Sequence, residues 1–167
     1  MAGAEVLHGY STPSSTQFSV FLDNKVGKML ELLKVFDGLN LRMVAISVID
    51  SADHAVVRLV TTDSDLARSA LTEHRMPYSQ CDILIVELSH EQTLNKLCQG
   101  LLSAELNIHY AYPLMVRPHG MPTIGLHRDD MYLAGQILRN KHFILLGEKD
   151  LMVNGADENP FDMPSDQ

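Results

Sequence analysis

Hydrophobic and polar positions alternate along the first ordered-looking stretch of the chain. Phe18, Val20 and Leu22 interleave with Ser19 and Phe21, the period of a β-strand. From Lys28 the spacing changes: Met29, Leu30, Leu32, Leu33 and Phe36 recur at helical intervals, and Gly38 stands where a C-terminal cap belongs, which predicts a helix of about three turns. Leu41 to Ile49 and His54 to Thr61 are two β-branched, apolar runs separated by the turn residues Asp50 to Asp53, which predicts a hairpin. Thr62, three residues before Asp65, reads as a capping-box start to a second helix with Leu66, Ala67, Ala70 and Leu71 on one face. After the Met76-Pro77 break, Tyr78 to Leu88 is strand-like, and Ile83 to Val86 is too continuous to be exposed on either face.

The order strand, helix, strand, strand, helix, strand then recurs. Leu39-Asn40-Leu41 reappears as Leu106-Asn107-Ile108, a shift of 67, and the same shift carries Leu59 to Leu126, Asp63 to Asp130, Leu66-Ala67 to Leu133-Ala134 and Leu71 to Leu138. The hairpin turn falls in step as well, since Asp50 to Asp53 lies over Arg117 to Gly120. One gapless register for all these matches means two copies of one supersecondary unit. Each copy has the split βαβ order of an α+β, ferredoxin-like βαββαβ unit: an antiparallel sheet with both helices on one face. The expected organisation is a flexible leader over 1–16, one unit over 17–81, a second over 82–151, and a disordered acidic tail over 152–167. A unit of this size has a thin core and open strand edges, so the two sheets are expected to pair side by side.

The 46% hydrophobic content supports a packed core, and a net charge of −8 disfavours nucleic acid and anionic membranes as partners. The RNA-recognition fold shares this element order, but it requires stacking aromatics on central strands and a basic surface. No apolar run approaches a membrane span and no secretory leader is legible at the N-terminus. Two cysteines, Cys81 and Cys98, lack the spacing of a disulfide framework or zinc ribbon, which points to a reducing, cytoplasmic setting. His109, His119 and His127 have no metal-ligand spacing, and no catalytic triad, phosphate loop or paired-carboxylate motif stands out. The expectation is therefore no metal, no cofactor and no catalytic residue.

Candidate chemistry gathers at Asp23-Asn24-Lys25-Val26-Gly27, where the first strand turns into the first helix. Amides at a helix start suit a carboxylate, and the Asp23 or Asn24 side chain can accept from an ammonium group. Asn40 and Asn107 suit a backbone-bonding role where helix turns into strand, and Tyr110 and Tyr112 share one face of a strand.

This turn before a helix, with Gly38-Leu-Asn-Leu41 at the helix end and a hairpin after it, resembles the ACT domain, whose signature is an Asp-x-Pro-Gly turn and a later Asn-Ile pair. Glu105-Leu-Asn-Ile108, followed by His109-Tyr-Ala-Tyr112, echoes it in the second copy. The resemblance covers roughly 17–151 and extends to small stand-alone proteins of two ACT domains in tandem, some connected with acetolactate synthase regulation. It implies a non-enzymatic, regulatory protein that binds a free amino acid between paired domains, with a homodimer and a biosynthetic enzyme as expected partners. The residues it implies as ligand-binding are Asp23, Asn24, Lys25, Val26, Gly27 and Lys28 from one copy and Asn107, Ile108 and Tyr110 from the other. Two departures matter: Val26 stands where proline is usual, and the second copy reads Ser89-His-Glu-Gln-Thr93, with neither proline nor glycine. One functional and one degenerate site are expected.

Overall fold

The computed structural model of the chain describes residues 12–152. Most of the expected leader and tail, 1–11 and 153–167, lies outside the described residues. The elements are β1 (Ser15–Asp23), α1 (Lys28–Lys34), β2 (Met43–Asp50), β3 (His54–Thr61), α2 (Ser64–Glu73), β4 (Tyr78–Glu87), α3 (Leu94–Ser103), β5 (Tyr110–Pro113), β6 (Thr123–His127), α4 (Met131–Asn140), β7 (Ile144–Leu146) and a closing 3-10 turn, Glu148–Leu151. The expected order is present twice.

Element ends differ from the pattern reading by a residue or two at β2 and β4 and more substantially in three places. The leader expected through Thr16 gives way to strand at Ser15, because the polar run Ser15-Thr16-Gln17 pairs with Ile83 to Cys81 of β4. Helix α1 has two turns, not three. After Lys34 the bonding tightens: the Val35, Phe36 and Asp37 N–H groups donate three residues back, to Leu32, Leu33 and Lys34. The cap of α2 is Asp63, whose carboxylate accepts from the Leu66 N–H at 2.9 Å, while Thr62 Oγ1 accepts from the Arg42 N–H instead.

The repeat register is visible in details that composition does not carry. Asp130 caps α4 as Asp63 caps α2, accepting from the Leu133 N–H at 2.9 Å. Both helices end alike: the Met76 and Phe143 N–H groups donate to Leu71 and Leu138 across residues of positive φ, Arg75 at 54° and His142 at 66°. Gly38 and Glu105, also 67 apart, share a positive φ of 74° and 56°. Because the two caps sit in separate units, Asp63→Ala and Asp130→Ala should each lower stability by about 1 kcal/mol, and the double variant should sum the two in urea unfolding.

The strands run β2-β3-β1-β4-β6-β5, with β7 also on β4. The two sheets do lie side by side, but through one strand they have in common and not through two separate edges. The first half of β4 pairs with β1, over Tyr78 to Ile83, and closes the first unit. Its second half pairs with β6 and β7, over Leu84 to Glu87, and opens the second. The continuous run is buried on both faces: Leu84 and Val86 pack under α3 and α4 with Leu97, Leu101 and Leu138, while Ile83 and Ile85 face the helix-free side.

That helix-free side is where the units meet. Val44, Ala45 and Val60 of the first pack against Tyr112, Leu114, Leu146 and Leu151 of the second. The segment just past β5 also bonds to β2, the Met115 N–H donating to the Val44 carbonyl at 2.8 Å. A separate core under α1 and α2 holds Phe18, Val20, Leu32, Leu59 and Leu71.

Candidate ligand-binding site

The Asp23 to Lys28 turn is fixed by its neighbours more than by its own side chains. The Asn24 amide donates to Asp50 Oδ1 at 2.8 Å and to the Ser51 carbonyl, tying the turn to the β2–β3 hairpin. Asn24 is thereby a structural brace. Gly27 occupies the N-cap of α1 at φ 89°, and no side chain caps the helix. A Cβ placed at Gly27 would meet nothing within 4 Å, so the glycine is required for its backbone angle and its space is open. Lys28 donates to Glu31 at 2.7 Å, and that bond is the first cause holding its ammonium pKa above the usual value. Lys25 stands 3.8 Å from Asp23, and Val26 projects fully into solvent.

Beside this turn lies a cleft of about 520 Å³, within the range of small-molecule pockets. One wall is β1 and α1, with Asp23, Lys28, Glu31 and Lys34; the other is the α2–β4 connection, His74 to Pro77. Both signs of charge line it over an apolar floor of Leu22, Val35 and Met76. The second wall escapes a motif reading. Its signal is topological: β4 runs antiparallel to β1, so the start of β4 meets the end of β1, and the Phe21 N–H donates to the Pro77 carbonyl at 2.9 Å.

The expected partners from the second copy are elsewhere. Asp23 pairs with His54 at one end of β1, whereas Tyr110 reaches Gln17 at the other. From Gln17 to Asp23 is about 20 Å of strand. Ile108 packs against the core under α3 and α4, and Asn107 is exposed on the loop that follows α3. Within one chain Asn107, Ile108 and Tyr110 therefore do not join Asp23 to Lys28, because the shared strand brings helix-free faces together and not the strand-to-helix turns.

Tyr110 and Tyr112 instead lock the junction between the units. The Tyr112 hydroxyl donates to Gln17 Oε1 at 2.6 Å, and Gln17 Nε2 donates to the Tyr110 hydroxyl at 2.8 Å. The Arg58 guanidinium lies 3.6 Å over the Tyr110 ring, and His127 stacks on the ring at 4.9 Å. Burial pushes both phenol pKa values up, most strongly that of Tyr112. Gln17 is fully buried, and both ends of its amide are bonded. This is a satisfied polar lock.

The second copy carries a smaller counterpart of the cleft, about 350 Å³, between α3 and Lys141 to Phe143. Its charged lining is Lys96 and Lys141 alone. Its turn is closed by its own groups: Ser89 Oγ accepts from the Gln92 N–H, Thr93 Oγ1 from the Lys96 N–H, and Lys96 Nζ donates to the Glu91 carbonyl. The Lys141 stem lies where a side chain at Gly100 would stand, at 2.8 Å from its Cβ position.

Among the described residues no group of three His, Cys, Asp or Glu side chains is gathered for a metal ion. His109 stands 3.0 Å from Asp129, and His119 stands 2.6 Å from the buried Glu87. Cys81 and Cys98 are free thiols, and no described helix is long and apolar enough to cross a membrane.

The sequence profile of a family described as the ACT domain pair matches residues 14–154. No curated protein is similar in sequence at a significant level. The fold is similar to that of protein BT0572 from Bacteroides thetaiotaomicron, with a TM-score of 0.73 and 24% identity over 83% of this chain and 95% of that one. It is also similar to aspartokinase alpha and beta subunits, TM-score 0.51 and 14% identity over 79% and 94% of the two chains. The ligand-free regulatory subunit of aspartate kinase from Thermus thermophilus matches at TM-score 0.50 and 9% identity over 78% and 93%.

Proposed function

Because the chain belongs to the family of ACT domain pairs, we propose that it is a regulatory protein with no reaction of its own, binding a free amino acid in the cleft between Asp23 to Lys28 and His74 to Pro77. The observation that carries this reading is the two-signed lining. A free amino acid presents a carboxylate and an ammonium group close together. Asp23 and Glu31 offer acceptors to the ammonium; Lys28, Lys34 and Arg75 offer donors to the carboxylate. Leu22, Val35 and Met76 give an apolar side chain somewhere to lie. The wall residues His74 to Pro77 take the place that Asn107 to Tyr110 were expected to fill.

A ligand in this cleft touches α1 and the end of α2 at once, the two helices that cover the first core. Its effect on the protein is then the difference between its affinities for the arrangements these helices adopt. The free thiols of Cys81 and Cys98 fit the cytoplasmic setting that this reading includes.

The test is a thermal-shift series over the twenty proteinogenic amino acids at millimolar concentration. At least one should raise the melting temperature, since a ligand bound only by the native state must stabilise it. A flat series would overturn the reading. A second reading makes the chain the regulatory subunit of a biosynthetic enzyme such as acetolactate synthase; two proteins of this fold are aspartokinase subunits or a regulatory subunit of aspartate kinase. Co-purification of a catalytic subunit from the native cell supports that reading.

A further inference from the structure

The start of α2 already holds a carboxylate. Glu148, from the 3-10 turn that ends the second unit, accepts from the Ser64 N–H at 2.5 Å and from the Ser64 hydroxyl at 2.8 Å. It does so next to the capping carboxylate of Asp63, which is turned to the Leu66 N–H. A helix start in this fold thus accepts an external carboxylate beside its own acidic cap.

The place related by the 67-residue shift is the start of α4, where Met131 corresponds to Ser64 and Arg128 to Thr61. Thr61 is self-sufficient, its hydroxyl donating to the Asp63 carbonyl. Arg128 is not. It is only 7% exposed, and its Nε and Nη1 have no hydrogen-bond partner among the described residues. A buried guanidinium with two unbonded donors is a costly arrangement that an anion would relieve. Arg128 directly follows β6; Leu126 faces α3 and α4 and His127 faces Tyr110, so the alternation continued one residue past the strand places Arg128 on the helix side, three residues before α4 begins. The neighbouring acids are committed elsewhere: Asp129 stands 3.0 Å from His109, and Asp130 accepts from the Leu133 N–H.

We propose that Arg128 and the first turn of α4 form a carboxylate-binding site, the counterpart in the second unit of the place that Glu148 fills in the first. The inference is independent of the amino-acid cleft, which lies in the other unit and shares no residue with it. Two sources supply this chemistry: a free small carboxylate, or an acidic side chain of this chain's own residues outside the described range, namely Glu5, Asp157, Glu158, Asp162 or Asp166.

The probe is acetate, exchanged for chloride at constant ionic strength and read by melting temperature on the full chain and on a variant with those five acids replaced by their amides. If the source is free, both chains gain on the order of 4 °C near saturation. If the source is internal, the five-amide variant melts lower and recovers with acetate while the parent chain barely responds. In either case Arg128→Met should abolish the acetate response. Arg128→Lys, which keeps the charge and loses the planar fork, should weaken it, and it serves as the test if the methionine variant fails to fold. No acetate response in either chain, or an undiminished one in the Arg128 variants, would overturn the proposal. Gly27→Val should leave the acetate response intact, which separates this site from the amino-acid cleft.

Discussion

Ile85→Ala should lower the unfolding free energy by about 2–5 kcal/mol, and it should do so in one transition that takes both units down together. Ile85 is fully buried on the helix-free face of β4, where Val44, Ala45 and Val60 of the first unit meet Tyr112 and Leu146 of the second. Its backbone is opposite Gly125 on one side and Leu146 on the other, so neither neighbour can move in without disturbing a ladder. The cavity left by the lost methyl and methylene groups therefore persists. Since β4 belongs to both sheets, unfolding of one unit removes the edge on which the other is built. Urea melts followed by tyrosine fluorescence and by far-ultraviolet circular dichroism should coincide in the variant as in the parent chain. Two separated transitions, with only the second displaced, would mean that β4 does not couple the units.

Gly27→Val should abolish stabilisation by the cognate amino acid and cost the protein about 1–3 kcal/mol. The stability cost comes from the backbone, because φ at this position is 89° and a β-branched residue is strained there whatever the space. The binding loss comes from distortion of the turn that places Asp23 and Lys28 on one wall of the cleft. Thr93→Val is the matched control. It removes the hydroxyl that caps α3 through the Lys96 N–H, at a cost of about 1 kcal/mol, and should leave amino-acid binding as it was. Equal loss of ligand response at both positions would contradict the assignment of one competent cleft and one closed by its own side chains.

The alternation in β1, the two hairpins and the helical faces were legible from residue periodicity because each element buries one face against a core. The 67-residue register was legible for the same reason: Leu59, Ala67 and Leu71 are buried, as are Leu126, Ala134 and Leu138. Ile83 to Val86 read as buried on both faces, and they are. What periodicity could not show is that this run serves two sheets at once. In the repeat register Ser15 corresponds to Asp82, so the strand that opens the second copy begins inside the one that closes the first. The expected leader overlaps β1 at Ser15 and Thr16 for a related cause. Ser15 and Gln17 are buried where the units meet, and Gln17 is held there by Tyr110 and Tyr112, whose partners are 93 and 95 residues away.

The candidate site was half legible. The Asp23 to Gly27 turn announces itself through a local glycine, but its opposite wall, His74 to Pro77, depends on how β4 lies against β1 and has no local signature. Tyr110, expected on that wall, stands within one chain at the other end of β1 from Asp23. Arg128 shows the same limit in another form: an arginine before two aspartates looks like ordinary surface, and only burial reveals it.

An amino-acid site at the first strand-to-helix turn can be located by following backbone amide signals by nuclear magnetic resonance while the stabilising amino acid is added. For a site there, the largest changes should fall at Asp23 to Glu31 and His74 to Met76, with Ser89 to Lys96 and the Gln17–Tyr110–Tyr112 lock little affected. Largest changes at that lock or at the second turn, or saturation without change at Gly27 and Arg75, would contradict it.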